Sequence, residues 1–190
     1  MVLIIISMPD NIIKDYMKKR IFKLDDKGVL LFDSIRDATV PAESMAIFLQ
    51  ETGIKLGSDY LYKLGVDVAT NTAIVNTISM RLDLIPMALR MRMLNVLLEV
   101  IGYGKCDIKI YDIKNNKALI HYSYNPVIEA AKRLYGRESL VCNFYMGIFA
   151  AHGMQVLGFR DAHLIETQCV CRGDQYCEWN HNVFTGEKNE

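Results

Sequence analysis

The stretch "ETQCVCRGDQYCEWNH", Glu166 to His181, holds three of the chain's five cysteines and its only tryptophan. How it folds decides how the chain closes. Read as a hairpin turning around Gly173-Asp174, "DAHLIETQCV" and "CEWNHNVF" are two strands that finish an antiparallel sheet. On a regular strand Cys169 and Cys171 share a face. If Cys171 lies opposite Cys177, then Cys169 lies opposite Trp179, and all four side chains share that face. Three uses compete for thiols gathered in this way: a metal site, a disulfide, or small unligated core residues. Zinc binds thiolates at roughly 2.3 Å, and an imidazole or carboxylate can complete its closed shell. Strand parity nominates His163 as that extra ligand. Glu166 has the opposite parity and needs a bulge to join. Cys142, at the start of an apolar helix, is the remaining thiol with an approach. The spacing C-x-C-x5-C is not that of a standard zinc finger.

Working outward, "ESLVCNFYMGIFAAHGMQVLG" reads as a helix that is apolar nearly all round from Leu140 to Met154, so it is buried on most sides. Gly147, Ala150, Ala151 and Gly153 give it a small-residue face. Glycine costs helix stability, so another helix or a ligand should press close there. Before it, "NPVIEAAKRLYG" is a short helix with Pro126 at its start and Gly136 at its end. "KCDIKIYDIKNNKALIHYSYNP" is a hairpin with Asn115-Asn116 in its turn. An odd-length loop sets Ile110 opposite Ile120 and Ile108 opposite Tyr122. Ile120, Tyr122 and Tyr124 then face inward and His121 outward. Cys106, on the first strand, reads as a small buried side chain.

Earlier still, "PMALRMRMLNVLLEVIGYG" repeats Met87, Met91, Leu94, Leu98 and Ile101 at helical spacing, with Arg92, Asn95 and Glu99 on the other side and Gly102 as the stop. "DYLYKLGVDVATNTAIVNTISM" is expected to be a helix of weak pattern. "VPAESMAIFLQETGIKLG" is a helix with Pro41 in its first turn and Gly53 and Gly57 at its end. Val29–Ile35 is expected as one strand, after a turn at Asp25-Asp26-Lys27-Gly28. The order of strand, helices, hairpin, helices, hairpin implies an α+β fold. Its antiparallel sheet has about four or five strands, with helices packed mainly on one face. Residues 1–24 read as an N-terminal extension, 25–185 as a single domain and 186–190 as a disordered tail.

Composition narrows the function. A chain of 190 residues with 51% hydrophobic and 23% charged residues suits one globular core. The formal net charge is zero and no basic cluster exceeds "KDYMKKR", which argues against nucleic acid as a partner. "MVLIIIS" is too short and lacks the basic flank of a signal peptide, and no charge-free apolar run reaches a bilayer span. No membrane partner and a cytoplasmic location are therefore expected. An odd number of cysteines also disfavours an exported disulfide framework. No G-x-G-x-x-G, phosphate loop or Ser-centred elbow occurs.

The run "NPVIEAAKRLYG…SLVCNFYMGIFAAHGMQVLG…LIETQCVCRGDQYCEW" resembles the 4-vinyl reductase-like domain family, over roughly residues 100–183. The part before it is similar in order and glycine placement. Members include the sensor domains of phenol- and toluene-responsive activators. The fold is shared with subunits of the Golgi transport tether and with haem-based nitric-oxide sensors. In the aromatic sensors a zinc is held by a cysteine at a helix start followed by E-x2-C-x7-C. Glu166, Cys169 and Cys177 stand at that spacing and Cys142 at the matching helix start, so the resemblance implies Cys142, Glu166, Cys169 and Cys177 as ligands of one structural Zn(2+). It favours Glu166 over His163, with strand irregularity near Glu166, and leaves Cys171 as an extra thiol. It also implies a pocket between helix and sheet for a small hydrophobic or aromatic molecule. Tyr122, Tyr124, Phe144, Tyr145, Ile148 and Trp179 are its expected lining. The expected role is a sensor or carrier acting as a homodimer. Two alternatives stand beside it: a reductase of a tetrapyrrole vinyl group, and a structural subunit of an assembly. No nucleotide or flavin motif and no convincing acid/base pair supports catalysis, so no catalytic residue is named.

Overall fold

A computed structural model describes residues 40–71 and 86–183, with the backbone of three short strands before them. These strands, β1 (Phe22–Leu24), β2 (Leu30–Phe32) and β3 (Ile35–Arg36), pair in that order as an antiparallel sheet. The single strand expected over Val29–Ile35 is thus two, with Phe32 opposite Ile35. Asp33 and Ser34 between them are turn-favouring residues. Most of the expected extension, the tail at 186–190, and the second half of the helix expected after Asp59 lie outside the described residues.

The rest follows the anticipated order. Helices α1 (Ala42–Leu56), α2 (Ser58–Asn71) and α3 (Met87–Val100) precede strands β4 (Lys105–Asp112) and β5 (Lys117–Ser123). Helices α4 (Pro126–Tyr135) and α5 (Val141–Gln155) precede β6 (Ile165–Gln168) and β7 (Cys177–His181). The last four strands form one antiparallel sheet in the order β4-β5-β7-β6, and helices pack on it, so the class is α+β. Asn125 starts α4: its Oδ1 accepts from the amides of Val127 and Ile128, each at 2.9 Å, while Pro126 occupies a position whose missing N–H costs nothing.

The first hairpin differs from expectation in register. Ile108 lies opposite Ile120, and Cys106 opposite Tyr122. A bulge between Ile108 and Ile110 then sets Ile110 opposite Leu119. The extra residue reverses the alternation, so Tyr111 turns inward with Cys106 and Ile108, and its hydroxyl donates to Leu157 O at 2.7 Å. Ile120 and Tyr122 are buried as expected. Tyr124 is not: it lies past the end of β5, has φ +59° and is 75% exposed. The strand ends at Ser123 because the backbone turns left-handed to reach the Asn125 cap, so the inward alternation stops one residue too early for Tyr124.

α5 is the centre of the molecule. Eleven of its residues, from Val141 to Gly153, are buried. One side lies on the sheet, where Phe149 packs on Tyr122 and Trp179 with ring centres 4.7 and 5.2 Å apart. The other side meets α2 at two reciprocal glycines. A Cβ on Gly147 would overlap the carbonyl oxygen of Tyr62, and one on Gly65 the carbonyl oxygen of Phe144. The close neighbour anticipated for the small-residue face is therefore a helix. Gly53 is another such place and not a helix end: it is buried within α1, and a Cβ there would sit 2.6 Å from Leu61 Cδ1.

The two backbone contacts separate glycines that fill a need from one that does not. Gly147→Ala and Gly65→Ala should each lose at least about 2 kcal/mol in urea unfolding, although alanine is the better helix former by about 1 kcal/mol. Gly153→Ala would meet only Ala162 Cβ at 3.5 Å and Phe159 at 3.7 Å. It should be neutral or slightly stabilising.

Candidate metal centre

The hairpin β6–β7 brings its cysteines to the N-terminal end of α5. Cys177 lies opposite Tyr122, and Glu166 lies opposite Trp179, so both point to the inner face of the sheet. A bulge between Glu166 and Gln168 then moves the chain by one residue. This is the irregularity that Glu166 needs, and it lets Cys169 reach the same face. Cys169 is followed by a 3₁₀ turn, Val170–Arg172, closed by Gly173 at φ +104°. The turn is held to Cys169: the Cys169 amide donates to Asp174 Oδ2 at 2.7 Å, and the amides of Arg172 and Asp174 donate to Cys169 O. Cys171 thus leaves the strand and does not face Cys177. Its thiol points to Ile128 O at 3.8 Å.

The result is a buried cluster. Cys142 Sγ is 3.4 Å from Cys169 Sγ and 3.8 Å from Cys177 Sγ, and Cys169 and Cys177 are 4.0 Å apart. Ligand atoms of Cys142, Glu166, Cys169 and Cys177 all lie within 4.8 Å of one another and could hold a metal ion. A tetrahedron with metal–sulfur bonds of ~2.3 Å has edges of about 3.8 Å, so the sulfur spacing fits a four-coordinate cation. All five cysteines are free thiols. His163 is elsewhere: its amide donates to His181 Nδ1 and its ring leans on Tyr62.

The electrostatics of the cluster also suit a cation. Hydrogen bonds from the neighbouring thiols, Cys142 foremost, hold the Cys169 thiol well below the ordinary range, so it is the first to ionise. Cys142, which donates to Cys169, is raised. Burial, and then the charge on Cys169, push the Glu166 carboxyl up to about 7, against the Trp179 indole N–H at 3.3 Å and the Arg172 guanidinium at 3.4 Å. Clustered anions of this kind are stabilised by a divalent ion, which favours their deprotonated forms. Three thiolates and one carboxylate would close a four-coordinate shell and leave no open position for catalysis.

The expected pocket residues divide. Tyr122, Tyr145 and Trp179 are buried, with the Tyr122 ring tilted against both Trp179 at 4.8 Å and Tyr145 at 6.3 Å, and Phe144 edge-on to Tyr145 at 5.4 Å. Phe144 and Ile148 belong to the turn of α5 against which Gly65 presses, on the α2 side. Tyr124 is outside. A cavity does exist between helix and sheet, one step further along α5. It is bounded by Leu94, Ile108, Tyr111, Phe149, His152 and Phe159, among others, and its walls are almost wholly apolar. Its volume of about 20 Å³ is room for about one water molecule. None of the six expected residues bounds it. His152 was legible in one respect only: it is an ionisable group in an otherwise apolar helix. The contributions of Phe159 and Leu94 depend on the tertiary arrangement.

No family sequence model and no curated protein matches this chain. Among solved structures it is similar to the phenol-responsive sensory domain of the transcription activator PoxR, determined with phenol. The TM-score is 0.71 over 92% of this chain and 90% of that chain, at 14% identity. The likeness establishes that the two share a fold. No helix among the described residues is long and apolar enough to cross a membrane.

Burial lowers the pKa of His152 to about 4 from 6.5. Between these values the unfolded chain binds a proton that the folded chain refuses. The contribution of His152 is therefore complete above pH 6.5 and lost as pH falls towards 4, by about 3 kcal/mol in full. Glu166, raised to about 7, has the opposite slope. The comparison to make is wild type against His152→Leu in denaturant unfolding at pH 7 and pH 4.5. Most of that difference should appear as a relative loss of wild-type stability at the lower pH.

Proposed function

We infer that the chain is a zinc-stabilised binding domain for a small, mostly apolar molecule, working as a sensor or carrier. One observation carries this reading: a small apolar cavity between α5 and the sheet, in a fold shared with a phenol-responsive sensory domain. Pockets for small ligands are mostly apolar, with few polar groups to orient the guest. Membership of the 4-vinyl reductase-like family belongs to the same proposal, and the Glu166, Cys169 and Cys177 spacing supports it.

Zinc is the ion that a buried set of three thiolates and one carboxylate suits best. Cys142, Cys169, Cys177 and Glu166 would hold it, and its binding energy would tie the β6–β7 hairpin to α5. Cys142 and His152 are ten residues apart on α5, or ~15 Å along the axis. A molecule in the cavity would not reach the metal, so the ion supports the fold and leaves recognition to the cavity. Free thiols fit a reducing compartment. The occupied state would act through a homodimer or another partner.

Native and denatured mass spectra of freshly purified protein test this reading. One zinc per chain with an organic adduct supports it. Zinc without an adduct supports the metal and favours a scaffolding role. No zinc, with a mass two protons short, means a disulfide and overturns the metal assignment. In metal-replete protein, Cys177→Ser should cost about 3 kcal/mol or more. An unchanged thermal midpoint would refute a structural ion.

A further inference from the structure

The exposed apolar side chains among the described residues are not evenly scattered. Ile113, Tyr124, Leu134 and Ile165 stand on separate elements, which is ordinary for a protein surface. Ile47, Phe48 and Ile54 are different: all three are on one helix, α1, and they are 46%, 60% and 63% exposed. The buried side of that helix is Ala46, Leu49, Gln50 and Gly53. At about 100° per residue, Ile47, Phe48, Glu51, Ile54 and Lys55 fall within about 120° of arc on the other side. That is the width of the stripe by which a helix packs on a neighbour. Gln50 holds this face outward, because its side chain donates to Glu138 O at 2.9 Å and accepts from the Leu140 amide at 2.8 Å.

The charges on the face point to its occupant. Glu51 and Lys55 are exposed and one turn apart, and neither has an ion-pair partner among the described residues. Glu43, on the flank, is already paired with Arg133 at 2.8 Å. A partner surface of one sign would bring a like charge to Glu51 or to Lys55. A second copy brings both signs in reverse order when two α1 helices lie antiparallel about a two-fold axis. An axis level with Gly53 sets Glu51 against Lys55 of the partner subunit, twice, and brings the two Ile54 side chains together beside these pairs. By the rise of about 1.5 Å per residue, Ile47 and Phe48 then reach the level of the other copy's turn between α1 and α2. That corner has open space around Gly57 and exposes Leu56 and Tyr60.

We propose that the outer face of α1 is a two-fold interface with a second copy of this chain, closed by reciprocal Glu51–Lys55 pairs around an apolar centre. This gives a surface to the homodimer and needs neither the metal nor the cavity. Sedimentation of the full chain over a range of concentrations tests it. Complexes of standard interface size dissociate at micromolar concentrations or below, so the wild type should be a dimer at about 100 µM. Glu51→Lys and Lys55→Glu each set like charges opposite one another twice, and each should weaken association about tenfold or more. Mixed in equal amounts, these two variants should form a heterodimer within about threefold of wild-type affinity, because every lysine then meets a carboxylate. Phe48→Glu should weaken association by a similar factor and regain nothing on mixing. All three positions are exposed, so the circular dichroism of each variant should match the wild type. A wild type that stays monomeric at about 100 µM overturns the proposal and leaves the face to a different occupant. A dimer indifferent to the three substitutions, or charge variants that do not recover on mixing, overturns it as well, while a homodimer through another surface stands.

Discussion

Everything in this molecule is arranged around the contact between Gly65 and Gly147. Two helices approach so closely there that each glycine faces a carbonyl oxygen of the other helix. No side chain fits between them. That contact fixes α2 on the outer side of α5 and leaves the opposite stripe of α5, Cys142, Tyr145, Phe149 and His152, for the sheet. A helix with no polar face is insoluble by itself. Here it is covered on both sides, and the stripe turned to the sheet becomes a row of chemically distinct positions: a thiol, two rings of the core, and an imidazole.

Two bulges adapt the sheet to that row. The first, between Ile108 and Ile110, turns Tyr111 inward beside the cavity. The second, between Glu166 and Gln168, allows a carboxylate and a thiol of opposite strand parity to face the same point. That one inserted residue brings Glu166 and Cys169 together with Cys142 and Cys177, ligand atoms within 4.8 Å of one another. The thiol cluster is costly alone, because burial and mutual repulsion both oppose ionisation. A cation held by these four residues would reverse that balance and tie the short-stranded hairpin to α5.

The tyrosine network beneath β5 ties these parts together. Tyr122 and the side chain of Asn125 both donate to Tyr103 O, and the same Asn125 side chain also reaches Tyr122 Oη and caps α4. Burial raises the pKa of the Tyr122 hydroxyl well above its ordinary value, so it remains a donor. Along α5, buried Tyr145 lies between Cys142 of the cysteine cluster and Phe149 and His152 of the cavity wall.

The sequence by itself determined the elements and the donors. Periodicity marked α3, the absence of any polar face marked α5 as buried, and the spacing of Glu166, Cys169 and Cys177 named a donor set through its family resemblance. These are local properties, carried by residue type and interval. Only the tertiary structure decided which donor of two parities could join, where the apolar cavity lies, and that Tyr124 faces solvent. Bulges and chain reversals add or remove a single residue of phase, and the sequence signal for that is weak. Their effect is long-ranged, because every side chain beyond them changes face. The cavity needs even more: its walls come from α3, both hairpins and the loop after α5, and no interval along the chain records that they meet.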